Sequence, residues 1–248
     1  MSGTVRTSGG GRLGSALSGL AVAIGCVLFL GGFAWGAVEY KPYTVPTDSM
    51  TPTVQVGDRV LAQRIDSSTV RRGDVVVFKD PDWGDMPMLK RVVGVGGDKV
   101  ACCDTRGRLT VNGKGIDEPY LKADSLSKGR ASAAGFTVQV PEGRLFLLGD
   151  ERTNSMDSRV HLQDADHGSV PRSTVSGRVD AIAWPLSGGM MERPKGFAAL
   201  PGGVSQPGPL KLVVAAVLAG VVLILGGAVY GPIAGRLGRS RKVPADVG

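Results

Sequence analysis

A mainly β domain carried between two transmembrane helices is the fold class this sequence predicts, on three observations. Uncharged apolar stretches occupy residues 13–38 and 212–234. Between them, short runs rich in Val and other strand formers alternate with turn residues. No stretch of that middle region shows a convincing helical period. A length of 248 residues suits one sizeable domain with its anchors and would crowd two.

Taken in order, residues 1–12 form a basic tail containing Arg6 and Arg12. Residues 13–38 exceed the roughly 20 residues that a helix needs to cross a hydrocarbon core. A cleaved signal peptide is the competing reading, because arginines precede the apolar run and Ala34-Trp35-Gly36 resembles a small-x-small cut site. The length of the uncharged run favours a permanent span. Trp35, Tyr40 and Tyr43 then fall where interfacial aromatics are expected. Strands are expected at 59–62, 74–78, 89–95, 109–111, 136–140, 145–148 and 177–184. Asn112-Gly113, following the alternating Leu109-Thr110-Val111, signals a hairpin because both residues tolerate positive φ. Residues 119–135 are polar, small and without period, and read as a mobile surface excursion. The folded domain is expected to span 39–185, followed at 186–211 by a Gly/Pro-rich linker that serves as a tether. Residues 212–234 form the second span, and Arg236, Arg239, Arg241 and Lys242 make 235–248 a second basic tail. The positive-inside rule places both tails in the cytoplasm and residues 39–185 on the extracytoplasmic side of the cytoplasmic membrane, in a multi-pass protein.

The formal net charge of +7 would suggest nucleic acid if it lay on the domain. It does not: six of the 29 basic residues but only one of the 22 acidic ones lie outside residues 39–211. Nucleic acid is therefore not expected as a partner. Cys26 sits in an apolar run, and Cys102 and Cys103 are adjacent, so neither a disulfide framework nor a spaced metal set can be read. Ordinary thiols are the simplest account, with an oxidised Cys102–Cys103 pair open as the alternative for a domain outside the cell. His161 and His167 share one polar loop and offer little to a Ser-His-Asp triad. His-Glu-x-x-His is absent, and no metal or cofactor is expected.

The remaining route to a serine nucleophile uses a lysine base. Pro46-Thr47-Asp48-Ser49-Met50-Thr51-Pro52-Thr53, followed by Val56-Gly57-Asp58, lies just beyond the first span. Then come Arg72-Gly73-Asp74-Val75-Val76-Val77-Phe78, Leu89-Lys90-Arg91-Val92-Val93-Gly94 with Gly97-Asp98, and Gly149-Asp150-Glu151-Arg152-Thr153-Asn154-Ser155-Met156-Asp157-Ser158-Arg159. Lysine is no base near neutral pH unless burial disfavours its ammonium form, since its ordinary pKa is about 10.4. Met88, Leu89, Val92 and Val93 supply apolar surroundings, and strand alternation puts Lys90 on one face with Met88 and Val92, Leu89 and Arg91 on the other. A Ser-x-x-Lys pattern at Ser125-Leu126-Ser127-Lys128 lacks the companion motifs of the penicillin-binding group and lies in the polar excursion instead of at a helix start.

Four blocks in this order resemble the bacterial type I signal peptidases, serine proteases of the Ser/Lys type, here with an added C-terminal span. The resemblance covers residues 43–184 and implies a signal-peptidase-like all-β catalytic domain of antiparallel sheets. It implies Ser49 as nucleophile, Lys90 as general base and Ser155 as the residue whose hydroxyl orients the lysine amine. Asp157 and Arg159 match a supporting ion pair. The oxyanion hole would use the Ser49 backbone N–H and the Thr47 hydroxyl, threonine being a departure from the serine that many relatives carry there. Val45, Met50, Val54, Met88 and Leu89 match substrate-binding positions, with an Ala-x-Ala preference before the cut. The partners implied are preproteins bearing signal peptides, membrane lipid and the protein-export machinery. A non-catalytic, membrane-tethered β-domain that binds exported chains or an assembly partner is the alternative.

Overall fold

The computed structural model describes residues 9–240; the expectations for the tails at 1–8 and 241–248 lie outside the described residues. Two compact units result, the terminal helices in one and Glu39–Gly208 in the other.

The helical unit contains α1 (Gly9–Glu39) and α2 (Leu210–Ser240). Within them, Gly14–Glu39 and Leu210–Ile233 are long and apolar enough to cross a membrane. Their large apolar residues, Leu20, Val27, Leu30 and Val222 among them, are exposed, which is the pattern of helices whose solvent is lipid. Small residues let the two backbones approach: a Cβ on Gly25 would come within 2.9 Å of the Gly220 carbonyl oxygen. Ser18 Oγ donates to the Gly227 carbonyl across the same seam at 2.6 Å.

The other unit is built from β1 (Tyr40–Thr44), β2 (Arg59–Gln63), β3 (Val75–Phe78), β4 (Met88–Val95), β5 (Lys99–Cys102), β6 (Leu109–Val111), β7 (Lys114–Gly115), β8 (Phe136–Gln139), β9 (Arg144–Leu148), β10 (Ser169–Pro171), β11 (Val175–Trp184) and β12 (Gly189–Met190). The larger sheet runs β1-β2-β11-β3-β4-β9-β10, with β12 added to β11, and the smaller one runs β7-β6-β5-β8. Every pairing is antiparallel. All seven expected strands form; β1, β5, β10 and β12 lie outside the expected ranges, each being short, and β7 is the brief return strand of the expected hairpin. The hairpin turn between β6 and β7 has φ of 52° at Asn112 and 79° at Gly113, as its two residues allow.

Register explains the core. Val76 faces Lys90 and Val77 faces Leu89 across the β3–β4 ladder, so alternation sends neighbours to opposite sides. Val75, Val77 and Leu89 pack with Val45, Met50, Val54 and Val60. Val76, Phe78, Met88 and Val92 pack with Leu145 and Leu147 on the other side. A third cluster joins the small sheet to Phe146 and Leu148 of β9.

Two expected boundaries are corrected. Residues 186–208 are no tether: β12 pairs with Ala181 and Ile182, and Phe197 and Leu200 are buried in the third cluster. Ser205 Oγ donates to Asp74, Arg72 donates to the Pro201 carbonyl at 2.6 Å, and the Gly208 amide reaches Asp180 at 3.0 Å. Isolated apolar residues among Pro and Gly carry no period, yet each can fill a hole left by the sheet. The segment 119–135 likewise is no free excursion, because Ser125, Ala131 and Ser132 are buried and Tyr120 packs against the third cluster. Cys102 and Cys103, whose oxidation the sequence leaves open, are joined in a disulfide between neighbours.

Candidate active site

Ser49 stands on a tight turn after β1. The Thr51 amide bonds the Asp48 carbonyl at 2.8 Å and the Val54 amide bonds the Met50 carbonyl at 3.0 Å. Met50 and Val54 drive this turn into the core, and the Glu151 amide secures the Ser49 carbonyl at 3.1 Å. Lys90 lies on β4, 41 residues away in sequence, and its Nζ donates to Ser49 Oγ at 2.7 Å. Both residues are buried, Ser49 at 7% and Lys90 at 4% exposure. A candidate nucleophile and a candidate base thus meet at hydrogen-bond distance, both buried.

Burial is the chief reason that the Lys90 amine titrates at about 8 instead of its ordinary 10.5. Asp157, Asp150 and Asp48 oppose that depression through space, and Arg159 adds to it. None of these acids makes a hydrogen bond or ion pair with the amine. Desolvation therefore wins, and a sizeable neutral fraction exists near pH 8.

Thr47 Oγ1 lies 3.3 Å from Ser49 Oγ, and Thr47 is exposed. Its hydroxyl thus borders the Ser49 hydroxyl on the exposed side of the turn. Ser155 Oγ is buried and has no hydrogen-bond partner among the described residues, so the expected bond to Lys90 is not formed here. It borders the site nonetheless, because a Cβ on Gly149 would strike both Ser155 Oγ at 2.1 Å and the Ser49 carbonyl at 2.5 Å. Asp157 and Arg159 form a bidentate pair, with Arg159 Nε to Oδ1 at 2.8 Å and NH2 to Oδ2 at 2.7 Å. Burial alone would raise the Asp157 carboxyl, but Arg159 and the Gly149 and Arg159 amides outweigh it and hold it below the ordinary range. Val45, Met50, Val54 and Leu89 share one cluster, whereas Met88 packs in the cluster on the opposite side of the sheet.

Buried ion pairs were not foreseen. Arg91 clasps Asp150 through Nε at 2.8 Å and NH2 at 2.6 Å, and Thr53 Oγ1 donates to the same carboxylate at 2.5 Å. Arg152 holds Glu118, and Arg72 holds Asp98, also out of solvent. The Arg-Gly-Asp and Gly-Asp blocks contain one partner of each pair, but nothing in their spacing names the other. The Ser-x-x-Lys pattern forms no site, since Ser125 is buried and Lys128 is exposed. His161 stacks on Trp83 at 4.5 Å and bonds Asp164. Among the described residues no metal-holding cluster occurs.

Comparison with known proteins defines the class. The family described as "Signal peptidase, peptidase S26" matches residues 17–184, and the chain belongs to that family of serine endopeptidases. Its relatives narrow this to the bacterial type I signal peptidases. The chain is 35% identical over 202 residues to "Probable signal peptidase I" of Mycobacterium leprae, across 59% of this chain and 69% of that protein. It is 34% identical to "Signal peptidase IB" of Staphylococcus aureus, across 68% of this chain and 88% of the relative. It spans about two thirds of the length of the mycobacterial relatives it matches. A crystal structure of a signal peptidase I from Enterococcus faecalis aligns with a TM-score of 0.36 at 30% identity, across 44% of this chain and 94% of that one.

Proposed function

We propose that this protein removes signal peptides from exported preproteins by a Ser/Lys mechanism, with Ser49 as nucleophile and Lys90 as general base. The observation that carries the reading is the 2.7 Å contact between Lys90 Nζ and Ser49 Oγ in a setting that lowers the amine to about 8. Neutral Lys90 takes the Ser49 proton while Oγ attacks the scissile carbonyl. The resulting oxyanion takes hydrogen bonds from the Ser49 N–H, which bonds no other described group, and from the Thr47 hydroxyl. Lys90 ammonium returns its proton to the leaving amine of the mature chain, which departs and leaves an acyl-enzyme on Ser49. Water, giving its proton to neutral Lys90, then attacks the ester, and the Lys90 ammonium returns that proton to Ser49 Oγ as the signal peptide leaves. Ser155, turned about χ1, is the proposed orienting partner of the amine, with Asp157 and Arg159 holding the loop that carries it.

Substrate strands would add along Met88 and Leu89 of β4 by main-chain pairing. Small residues of an Ala-x-Ala site would rest on the cluster of Val45, Met50, Val54 and Leu89. Both tails are proposed to be cytoplasmic and Glu39–Gly208 extracytoplasmic, the side on which a signal peptide's cut site emerges, and Ser49 follows α1 by ten residues in the chain. Membrane lipid and the export machinery are the proposed surroundings. The test is cleavage of an Ala-x-Ala preprotein by full-length protein in detergent, comparing wild type with Ser49→Ala and Lys90→Ala. Cutting by wild type and loss of at least about 10³-fold in both folded variants supports the reading; binding without cutting by wild type refutes it.

A further inference from the structure

Behind the Ser49–Lys90 pair lies a ring of charged and aromatic groups that includes two residues from outside the four motif blocks. Glu118 lies just before, and Tyr120 within, the 119–135 segment on the connection from β7 to β8 of the small sheet. Glu118, 5% exposed at its side chain, receives Arg152 NH2 at 2.5 Å and NH1 at 3.0 Å. The same arginine donates through Nε to the Gly149 carbonyl at 3.0 Å. The amide of Gly149 donates to Asp157 at 3.0 Å, and Arg159, the partner of Asp157, reaches back to the Arg152 carbonyl at 2.7 Å. Both peptide groups of Gly149 are therefore held by ion-paired side chains. This matters because Gly149 is the point where the Ser49 carbonyl and the Ser155 hydroxyl converge.

Tyr120 closes the ring on the β4 side. Its hydroxyl donates to Glu118, and its ring lies under the Arg91 guanidinium, 3.9 Å from the centroid. Arg91 follows Lys90 on β4 and clasps Asp150, which follows Gly149. Glu118 and Tyr120 thus touch both halves of the site, the strand that carries the base and the loop that fixes the nucleophile's carbonyl.

We propose that Glu118 and Tyr120 are positioning residues for the reaction, setting the separation of Lys90 from Ser49 and keeping water from the amine. The inference rests on the Ser/Lys reading above. Neither residue touches Ser49 or Lys90, so their effect passes through Arg152–Gly149 and Arg91. Without the clamp the 149–152 loop loosens, the amine becomes hydrated, and the cause of its depression is removed.

The experiment measures kcat, KM, the pH midpoint of kcat and thermal unfolding of full-length protein for Glu118→Gln, Tyr120→Phe and Tyr120→Leu. Glu118→Gln is expected to lose on the order of tenfold or more in kcat with KM within about twofold, since misplacing reacting groups costs rate and not binding. Its pH midpoint should rise above that of wild type. Tyr120→Phe, which keeps the ring over Arg91, should lose less than Tyr120→Leu, which removes ring and hydroxyl together. Lower unfolding temperatures with wild-type kcat and midpoint in the folded fraction would overturn the proposal and leave a purely structural role. If Glu118→Gln does not fold, the Tyr120→Phe and Tyr120→Leu pair decides by the same readouts. Failure of wild type to cut any preprotein would instead sink the Ser/Lys reading itself.

Discussion

Lys90 and Arg91 are consecutive on β4, both buried, and the two sides of the strand treat their charges in opposite ways. On the Arg91 side, Asp150 is delivered in bidentate geometry, Tyr120 lies under the guanidinium and the Gly73 carbonyl accepts NH1 at 2.8 Å. Burial works against that charge, but Asp150 and its neighbours outweigh it and the guanidinium is held more firmly protonated than usual. On the Lys90 side, burial is similar, yet among the described residues the amine's one hydrogen-bond partner is a hydroxyl, and the acids that favour its charge stand off. Burial thus yields a fixed structural cation when a carboxylate accompanies it, and a titratable base when none does.

Removing one member of the paired side should give the largest effect on folding. Arg91→Met leaves Asp150 buried and uncompensated, and chemical denaturation should show a loss of about 3–5 kcal/mol. An unchanged midpoint of denaturation would mean that the pair is not isolated from water. Lys90→Met should do the reverse at pH 7. The folded amine titrates at about 8, below its ordinary 10.5, so keeping it protonated in the folded state is costly at any pH below 8. That cost fades as pH rises from 8 to 10.5. The methionine variant should therefore be more stable than wild type by on the order of 3 kcal/mol at pH 7, converging with it above pH 10.5. Equal stability at pH 7 would show that Lys90 is not desolvated.

Chemistry on the Lys90 side offers two smaller effects. Thr47→Val keeps the branched shape without the hydroxyl and should slow kcat by about 100-fold, near 3 kcal/mol, whereas Thr47→Ser should stay close to wild type. Equal rates for Thr47→Val and Thr47→Ser would refute the proposal that this hydroxyl serves an oxyanion hole. In a pH series, kcat/KM should climb about tenfold per unit below the Lys90 midpoint and level off above it. Asp48→Asn takes away one of the charges that favour the ammonium form and should move that midpoint down by about a few tenths of a unit. An upward shift would contradict the electrostatic picture.

How much of this was legible beforehand follows the range of the interactions. Strands with uninterrupted Val-rich runs, such as Val75–Phe78 and Met88–Val95, declare themselves through local pattern. The Asn112-Gly113 turn does so through backbone chemistry alone. Edge strands such as β10, Ser169–Pro171, do not, because they owe their conformation to the partner strand and not to their own residues. The packing of residues 186–208 was illegible for the same reason: Phe197 is one aromatic among Pro and Gly, and only the hole beneath it shows that it is core.

By itself the sequence determined the two apolar spans, the all-β character between them, the chemical identities at Ser49, Lys90 and Thr47, and the family, through ordered blocks whose residues can be read without coordinates. Tertiary structure alone decided that Ser49 and Lys90, 41 residues apart, meet at 2.7 Å, that Arg91 rather than Lys90 receives Asp150, and that Glu118 and Tyr120 back the site. The physical reason is that periodicity and turn chemistry act over a few residues, whereas desolvation and ion pairing depend on which distant segments the sheet brings together.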